Sequence, residues 1–199
     1  MAKQDAAKPD FWETRYRERV MPWDAGGVPG ALGAFLAAEP RPLRVLIPGC
    51  GSGYEARALV EAGHEVVAID FSPAAIDLAR GVLGPHASVL RFADFFEFDA
   101  GARFDLVYER AFLCALPRAV WPRYAPRVAE LLGPNGRLVG FFFWSDEQRG
   151  PPFGLAPGEL ETLLTPYLER LDDRPVADSI PVFAGRERWQ VWRRRAEAV

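Results

Sequence analysis

The chain has 199 residues, 49% of them hydrophobic and 26% charged, with a net charge of −3. That length suits a single domain whose core needs no cross-links, and the slight acidity argues against a generic nucleic-acid surface. Two cysteines make no disulfide framework, and no apolar run reaches the roughly 18 residues of a membrane span.

Residues 1–9 read as a polar tail ending at Pro9, without the apolar stretch of a signal peptide. Asp10 is placed to cap a short helix in which Phe11, Trp12, Tyr16 and Val20 recur at helical spacing. Pro22-Trp23-Asp24-Ala25-Gly26-Gly27 breaks it, and Pro29 opens a second helix to about Ala38. Strand and helix then alternate. Arg44 to Ile47 is an apolar strand, Gly49-Cys50-Gly51-Ser52-Gly53 a turn, and Tyr54 to Ala62 a helix closed by Gly63. Glu65 to Ile69 is a strand ending at Asp70, after which Ser72 caps a helix with Pro73 in its first turn.

Ser88 to Phe92 and Phe104 to Tyr108 are predicted as further strands. Residues 118–132 form a helix that Pro122 and Pro126 should delay or kink. Gly133 to Gly136 is a turn. Arg137 to Trp144 is apolar nearly throughout, as a strand buried on both faces should be. After a helix over Gly158 to Tyr167, Leu168–Val176 and Glu187–Arg194 form two strands with no helix between them, so they should pair antiparallel. The arginines at 186, 188, 193, 194 and 195 read as a solvated strand end. The alternation predicts an α/β fold with a mostly parallel sheet in one domain, 1–199.

A glycine loop after the first strand lets backbone N–H groups and a helix N-terminus approach a ligand closely. Asp70, 19 residues after Gly51, ends the second strand where an acid can accept hydrogen bonds from ribose hydroxyls. This pair serves NAD and S-adenosylmethionine equally. Asp94, after the third strand, is where methyl-donor folds meet the adenine amino group, and the antiparallel ending departs from the continued βαβ units of a dinucleotide domain. The expected cofactor is therefore S-adenosylmethionine, leaving as S-adenosylhomocysteine. An NAD-dependent oxidoreductase and a non-catalytic adenosyl-binding module are the alternatives; the first would need a nicotinamide pocket and a proton donor that the sequence does not offer.

Phe11-Trp12-Glu13-x-Arg15-Tyr16, Trp23, Val45-Leu46-Ile47-Pro48-Gly49-Cys50-Gly51 and Asp70 resemble the thiopurine S-methyltransferase family, with its thiol and halide methyltransferase branch. Tyr108 to Leu116 and Gly150-Pro151-Pro152-Phe153 add to the likeness, which runs from about residue 10 to 195. The resemblance implies a Rossmann-like class I methyltransferase with a seven-stranded sheet, its last strand antiparallel and helices on both faces. It places Trp12, Tyr16 and Trp23 in an N-terminal lid (residues 1–25), Gly49 under the methionine part of the donor, Asp70 on the ribose, Ala93 and Asp94 beside the adenine, and Arg110 near donor and acceptor. Arginine at 110 fits thiopurine-type relatives, whereas Phe112-Leu113-Cys114-Ala115 reads more like the thiol/halide branch.

Methyl transfer from a sulfonium to a soft nucleophile needs an aromatic, dry pocket more than a strong base. Trp12, Tyr16, Trp23, Phe112 and Phe153 are the candidate rings, with Trp23, Phe112 and Phe153 also walling the acceptor. Arg110 is the catalytic candidate, attracting a thiolate or another anion; its bland alternative is a structural ion pair with Glu109 or Asp105. His64 and His86 lack a second histidine at ligand spacing, so no metal is expected. Cys50 and Cys114 read as packed thiols. The expected enzyme is a monomeric cytoplasmic methyltransferase acting on a small molecule, with neither nucleic acid nor membrane as partner.

Overall fold

The computed structural model describes residues 6, 8–147 and 149–196. Most of the segment expected to be a tail, 1–5 and 7, lies outside these residues. The described elements are α1 (Pro9–Glu18), α2 (Gly30–Ala37), β1 (Arg44–Pro48), α3 (Tyr54–Glu61), β2 (Glu65–Asp70), α4 (Pro73–Leu83), β3 (Leu90–Phe92), β4 (Phe104–Arg110), α5 (Trp121–Leu131), β5 (Leu132–Phe143), α6 (Glu159–Leu164), β6 (Leu168–Pro175) and β7 (Glu187–Arg194).

The seven strands form one sheet in the order β3-β2-β1-β4-β5-β7-β6. β7 runs antiparallel to both neighbours, and the other strand pairs are parallel. The order reverses between β1 and β4, and a crevice at the carboxyl ends of the strands is the expected consequence. One face of the sheet is covered by α2, α3 and α4 through Leu32, Leu59, Ile76 and Leu83, packed on Val45, Leu106 and Val139. The other is covered by α5 and α6 through Trp121, Tyr124, Val128, Leu160 and Leu164, packed on Leu46, Val107 and Leu138. The two-faced, mostly parallel sheet and the antiparallel β6–β7 pair follow the sequence expectation.

Several boundaries differ, each for a local reason. Pro9, not Asp10, is the first residue of α1; Lys8 occupies the cap and Asp10 sits in the first turn. Gly84–Val89 winds into a 3₁₀ turn, which shortens the third strand to Leu90–Phe92. Pro122 delays α5 as expected, a 3₁₀ turn at Arg118–Val120 preceding it. Gly133 to Gly136 were expected as a turn and Leu132 as the end of a helix, but all five residues belong to β5, because Leu132 pairs with Phe104 before a register shift.

Candidate active site

Each glycine of the first loop has its own task. Gly49 and Gly51 adopt φ of +58° and +52°, a region that L side chains rarely enter. A Cβ on Gly49 would stand 2.5 Å from Cδ2 of Phe112, so the bare α-carbon is what lets that ring lie against the loop. A Cβ on Gly51 would stand 3.0 Å from the Tyr16 hydroxyl. Gly53, at φ +80°, caps α3 and lets it approach Ala79 and Leu83 of α4.

The loop is tied to Asp70. Its Oδ2 accepts the Gly51 N–H at 3.1 Å, and its Oδ1 accepts the Ser72 N–H at 2.9 Å. Burial lifts this carboxyl to about 6, against the pull of those two donors. Asp70 lines a cavity of about 460 Å³ that follows the carboxyl ends of the strands, within the usual range for small-ligand sites. Ala93, Asp94, Phe95 and Phe96 close it beyond β3, and Asp94 Oδ1 braces its own turn by accepting the Phe96 N–H at 2.7 Å. Arg123 borders the same end, paired with Glu97 at 3.5 Å and lying over Phe96.

Beyond β4 the cavity changes character. Its wall is Ala111, Cys114, Ala115, Pro151, Pro152, Val182 and Phe183, with Arg110 the charged side chain among them. The Phe153 N–H donates to the Cys114 carbonyl at 2.7 Å and holds the proline turn against the end of β4. Phe153 itself stands outside the cavity wall, packed against the Phe11–Trp12 cluster, and the prolines before it face the space.

The N-terminal segment covers the cavity. Trp12 and Trp23 both line it and meet edge to face at 5.3 Å, while Trp23 meets Tyr16 at 5.9 Å. Tyr16 lies behind them, its hydroxyl over Gly51. Two carboxylates seat this segment on helix N-termini. Glu13 accepts the Ser72 hydroxyl at 2.7 Å and the Ala74 N–H at 2.9 Å at the start of α4. Asp24 accepts the Ser52 hydroxyl just before α3. Both positions favour negative charge.

Arg110 has neither of the acidic partners anticipated for it. Its Nη1 lies 3.3 Å from Glu55 Oε1, and both side chains are largely shielded from water. It also lies over the Phe141 ring at 5.4 Å and feels the carboxyl of Glu187. Asp105 instead accepts the Arg44 N–H. Glu109 points to the other sheet face, where its Oε1 accepts the Phe112 and Leu113 N–H groups at 2.9 and 3.2 Å. Complete burial pushes Glu109 up to about 8, and nearby Glu187 adds to this. The Cys114 thiol is held protonated by burial and by the same two acids, and burial also raises Cys50. His64 accepts the Leu43 N–H through Nδ1, a structural contact.

Glu55, Val182 and Phe183 are site residues absent from the motifs, and Glu13 and Glu109 stood within motifs without the roles that the structure gives them. The apolar Ile180-Pro181-Val182-Phe183 inside a polar loop, and an acid within the apolar strand 104–110, were the available signals.

Residues 7–195 match the family model described as thiopurine S-methyltransferase. The chain is 32% identical over 161 residues to a probable thiol methyltransferase 2 of Arabidopsis thaliana, covering 78% of this chain and 71% of that one. It is 30% identical over 192 residues to thiocyanate methyltransferase 1 of the same plant, covering 92% and 84%. It shares its fold, at a TM-score of 0.75 and 23% identity over 94% of this chain and 86% of the other, with the 1,6-didemethyltoxoflavin-N1-methyltransferase of Burkholderia thailandensis, a structure with bound 1,6-didemethyltoxoflavin and S-adenosylhomocysteine.

Proposed function

Since the chain belongs to the thiopurine S-methyltransferase family, we propose that it transfers the methyl group of S-adenosylmethionine to a small, soft nucleophile, a thiol or thiopurine-like sulfur before a halide. One observation carries this reading: a single cavity joins an acid suited to ribose, Asp70, to an apolar wall on the far side of β4.

The residues present fit the donor. Asp70 offers carboxylate oxygens at the cavity wall, where ribose hydroxyls can donate to them. Ala93 and Asp94 line the cavity with Phe95 and Phe96 where the adenine would lie. Gly49 and Gly51 carry the backbone past the methionine part, and Arg110 faces both this region and the acceptor wall. When bound, the donor supplies a methyl group on a sulfonium. Trp12, Trp23 and Phe112 line the cavity, where an aromatic ring can attract such a cation by about 0.5–2 kcal/mol according to desolvation. Tyr16 supports Trp23 from behind, and Phe153 supports the acceptor wall through its backbone.

The chain's own contribution is positioning and exclusion of water. A nucleophile held by Trp23, Pro151, Pro152, Val182 and Phe183 has few orientations open to it, and orientation alone is worth several kcal/mol. Cys114 stays a neutral thiol at the wall. We read residues 1–199 as one methyltransferase unit with residues 1–25 as its lid. The net charge of −3 and the free, buried Cys50 and Cys114 support a monomeric cytoplasmic enzyme acting on a small molecule and not on nucleic acid. No helix among the described residues is long and apolar enough to cross a membrane.

Calorimetric titration with S-adenosylhomocysteine and NAD tests the donor site. Tight binding of the adenosyl compound alone is expected. Tight NAD binding without it would overturn the reading in favour of an oxidoreductase.

A further inference from the structure

Among the described residues of the acceptor wall Arg110 is the one cation, and its charge is paired with Glu55, although its buried Nε has no hydrogen-bond partner. Arg110 is held against Glu55 at 3.3 Å, and its charge also acts on the Glu187 carboxyl without an ion pair between them. Glu55 is itself shielded, and burial raises its carboxyl while Arg110 pulls it down. The other arginines that line the cavity, Arg123 and Arg15, are each engaged elsewhere. Arg123 lies beside Phe96 and Glu97. Arg15 sits on α1, which packs on α4, with its guanidinium over Phe11 and donating to the Phe11 carbonyl. Beyond Arg110, the acceptor half presents Ala111, Ala115, Pro151, Pro152, Val182 and Phe183.

A guanidinium already paired with a carboxylate offers less net attraction to a further anion, and an apolar wall gives a charged tail no partner. We propose that the acceptor is a thiol whose body carries no charge, and that Glu55 determines this specificity by cancelling Arg110. The inference rests on the methyltransferase reading and adds the class of thiol. Glu55 lines the narrower cleft under Arg110, between Asp24 and Tyr54, and does not face the acceptor wall; it therefore selects by charge and not by shape.

The test compares thiophenol with 4-mercaptobenzoate, which share a ring and differ by one carboxylate. With S-adenosylmethionine at saturation, the wild-type chain should favour thiophenol by about tenfold or more in kcat/KM, since a carboxylate against an apolar wall loses its hydration without gaining a partner. A binding readout accompanies it. Calorimetry in the presence of S-adenosylhomocysteine should show thioanisole binding and 4-(methylthio)benzoate binding at least about tenfold more weakly. Glu55→Gln should narrow both ratios several-fold while S-adenosylhomocysteine still binds.

Equal efficiency for the two thiols, preference for 4-mercaptobenzoate, or ratios unmoved by Glu55→Gln in a protein that still binds S-adenosylhomocysteine would each overturn the inference. If Glu55→Gln fails to fold, the two wild-type ratios decide it alone. Methylation of neither thiol, nor of any other sulfur acceptor, would instead sink the methyltransferase reading.

Discussion

Asp70 and Gly51, 19 residues apart, are joined by a hydrogen bond in which Asp70 Oδ2 accepts the Gly51 N–H at 3.1 Å. The acid that awaits the ribose is thereby fixed to the loop that runs under the donor. The carboxylate is anchored before any ligand arrives, and a preorganised acceptor loses little freedom on binding.

Removing that acceptor should weaken the donor. Asp70→Ala is expected to reduce S-adenosylhomocysteine affinity roughly 10- to 150-fold, because hydrogen bonds to a charged group contribute about 1.5–3 kcal/mol. In the wild type the carboxyl is lifted to about 6, so ribose binding to the ionised form should weaken as pH falls through 6. Asp70→Asn should flatten that dependence. Affinity unchanged between pH 5 and 8 in the wild type would contradict the assignment.

Much of this was legible in the chain and some was not. The apolar strand, the glycine loop and Asp70 are consecutive in sequence, so local pattern places them together. Arg110 shows the limit. Its partner was sought at Glu109 or Asp105, on its own strand, but successive strand residues point to opposite faces. Glu109 therefore turns away, and Glu55, from the helix packed on the Arg110 face, takes the position. Val182 and Phe183 reach the cavity from the connection between the paired strands β6 and β7, far in sequence from the glycine loop, a placement that the antiparallel closure of the sheet creates. Phe153 is the opposite case: its motif was plain, yet its ring packs against the Phe11–Trp12 cluster and the preceding prolines face the cavity.

Gly49 and Gly63 separate collision from backbone strain. Both have positive φ, but a Cβ on Gly63 meets nothing within 4 Å and one on Gly49 meets Phe112 at 2.5 Å. Gly49→Ala should therefore destabilise the fold by about 1–3 kcal/mol more than Gly63→Ala, the usual range for overpacking, and should also weaken donor binding. Equal thermal shifts would show that Phe112 yields freely.

Glu109 should shape the pH dependence of stability. Its carboxyl rises from 4.5 to about 8 on folding, chiefly through burial. A carboxyl raised in this way favours the fold fully below about 4.5, and that contribution is lost as pH rises through 8. Glu109→Gln keeps an acceptor for the Phe112 and Leu113 N–H groups but cannot ionise. Its melting temperature should gain on the wild type between pH 6 and 9, with each 1 kcal/mol appearing as roughly 2–4 °C in a chain of this size. A constant offset across that range would mean that Glu109 does not titrate there.

Glu13 anchors the lid to α4. Burial raises its carboxyl, but the Ala74 and Ser72 hydrogen bonds and the charge of Arg17 together bring it below the usual value. Glu13→Ala removes an acceptor from two donors and a favourable charge from a helix N-terminus, together about 1–2 kcal/mol. Limited proteolysis should cut the segment 19–29 several-fold faster in this variant, and S-adenosylhomocysteine should slow the cutting in both proteins. Identical digestion would show that the lid is held elsewhere.

The central claim is that one cavity brings a methyl donor and a sulfur nucleophile together. Incubating the protein with S-adenosylmethionine trideuterated in its methyl group and with thiophenol, then weighing the products by mass spectrometry, tests it most directly. The account predicts a thioether carrying all three deuterons, formed one for one with S-adenosylhomocysteine and lost in Asp70→Ala at low donor concentration. No labelled product from thiophenol or from any other thiol, thiopurine or halide acceptor, in a protein that binds S-adenosylhomocysteine, would contradict it.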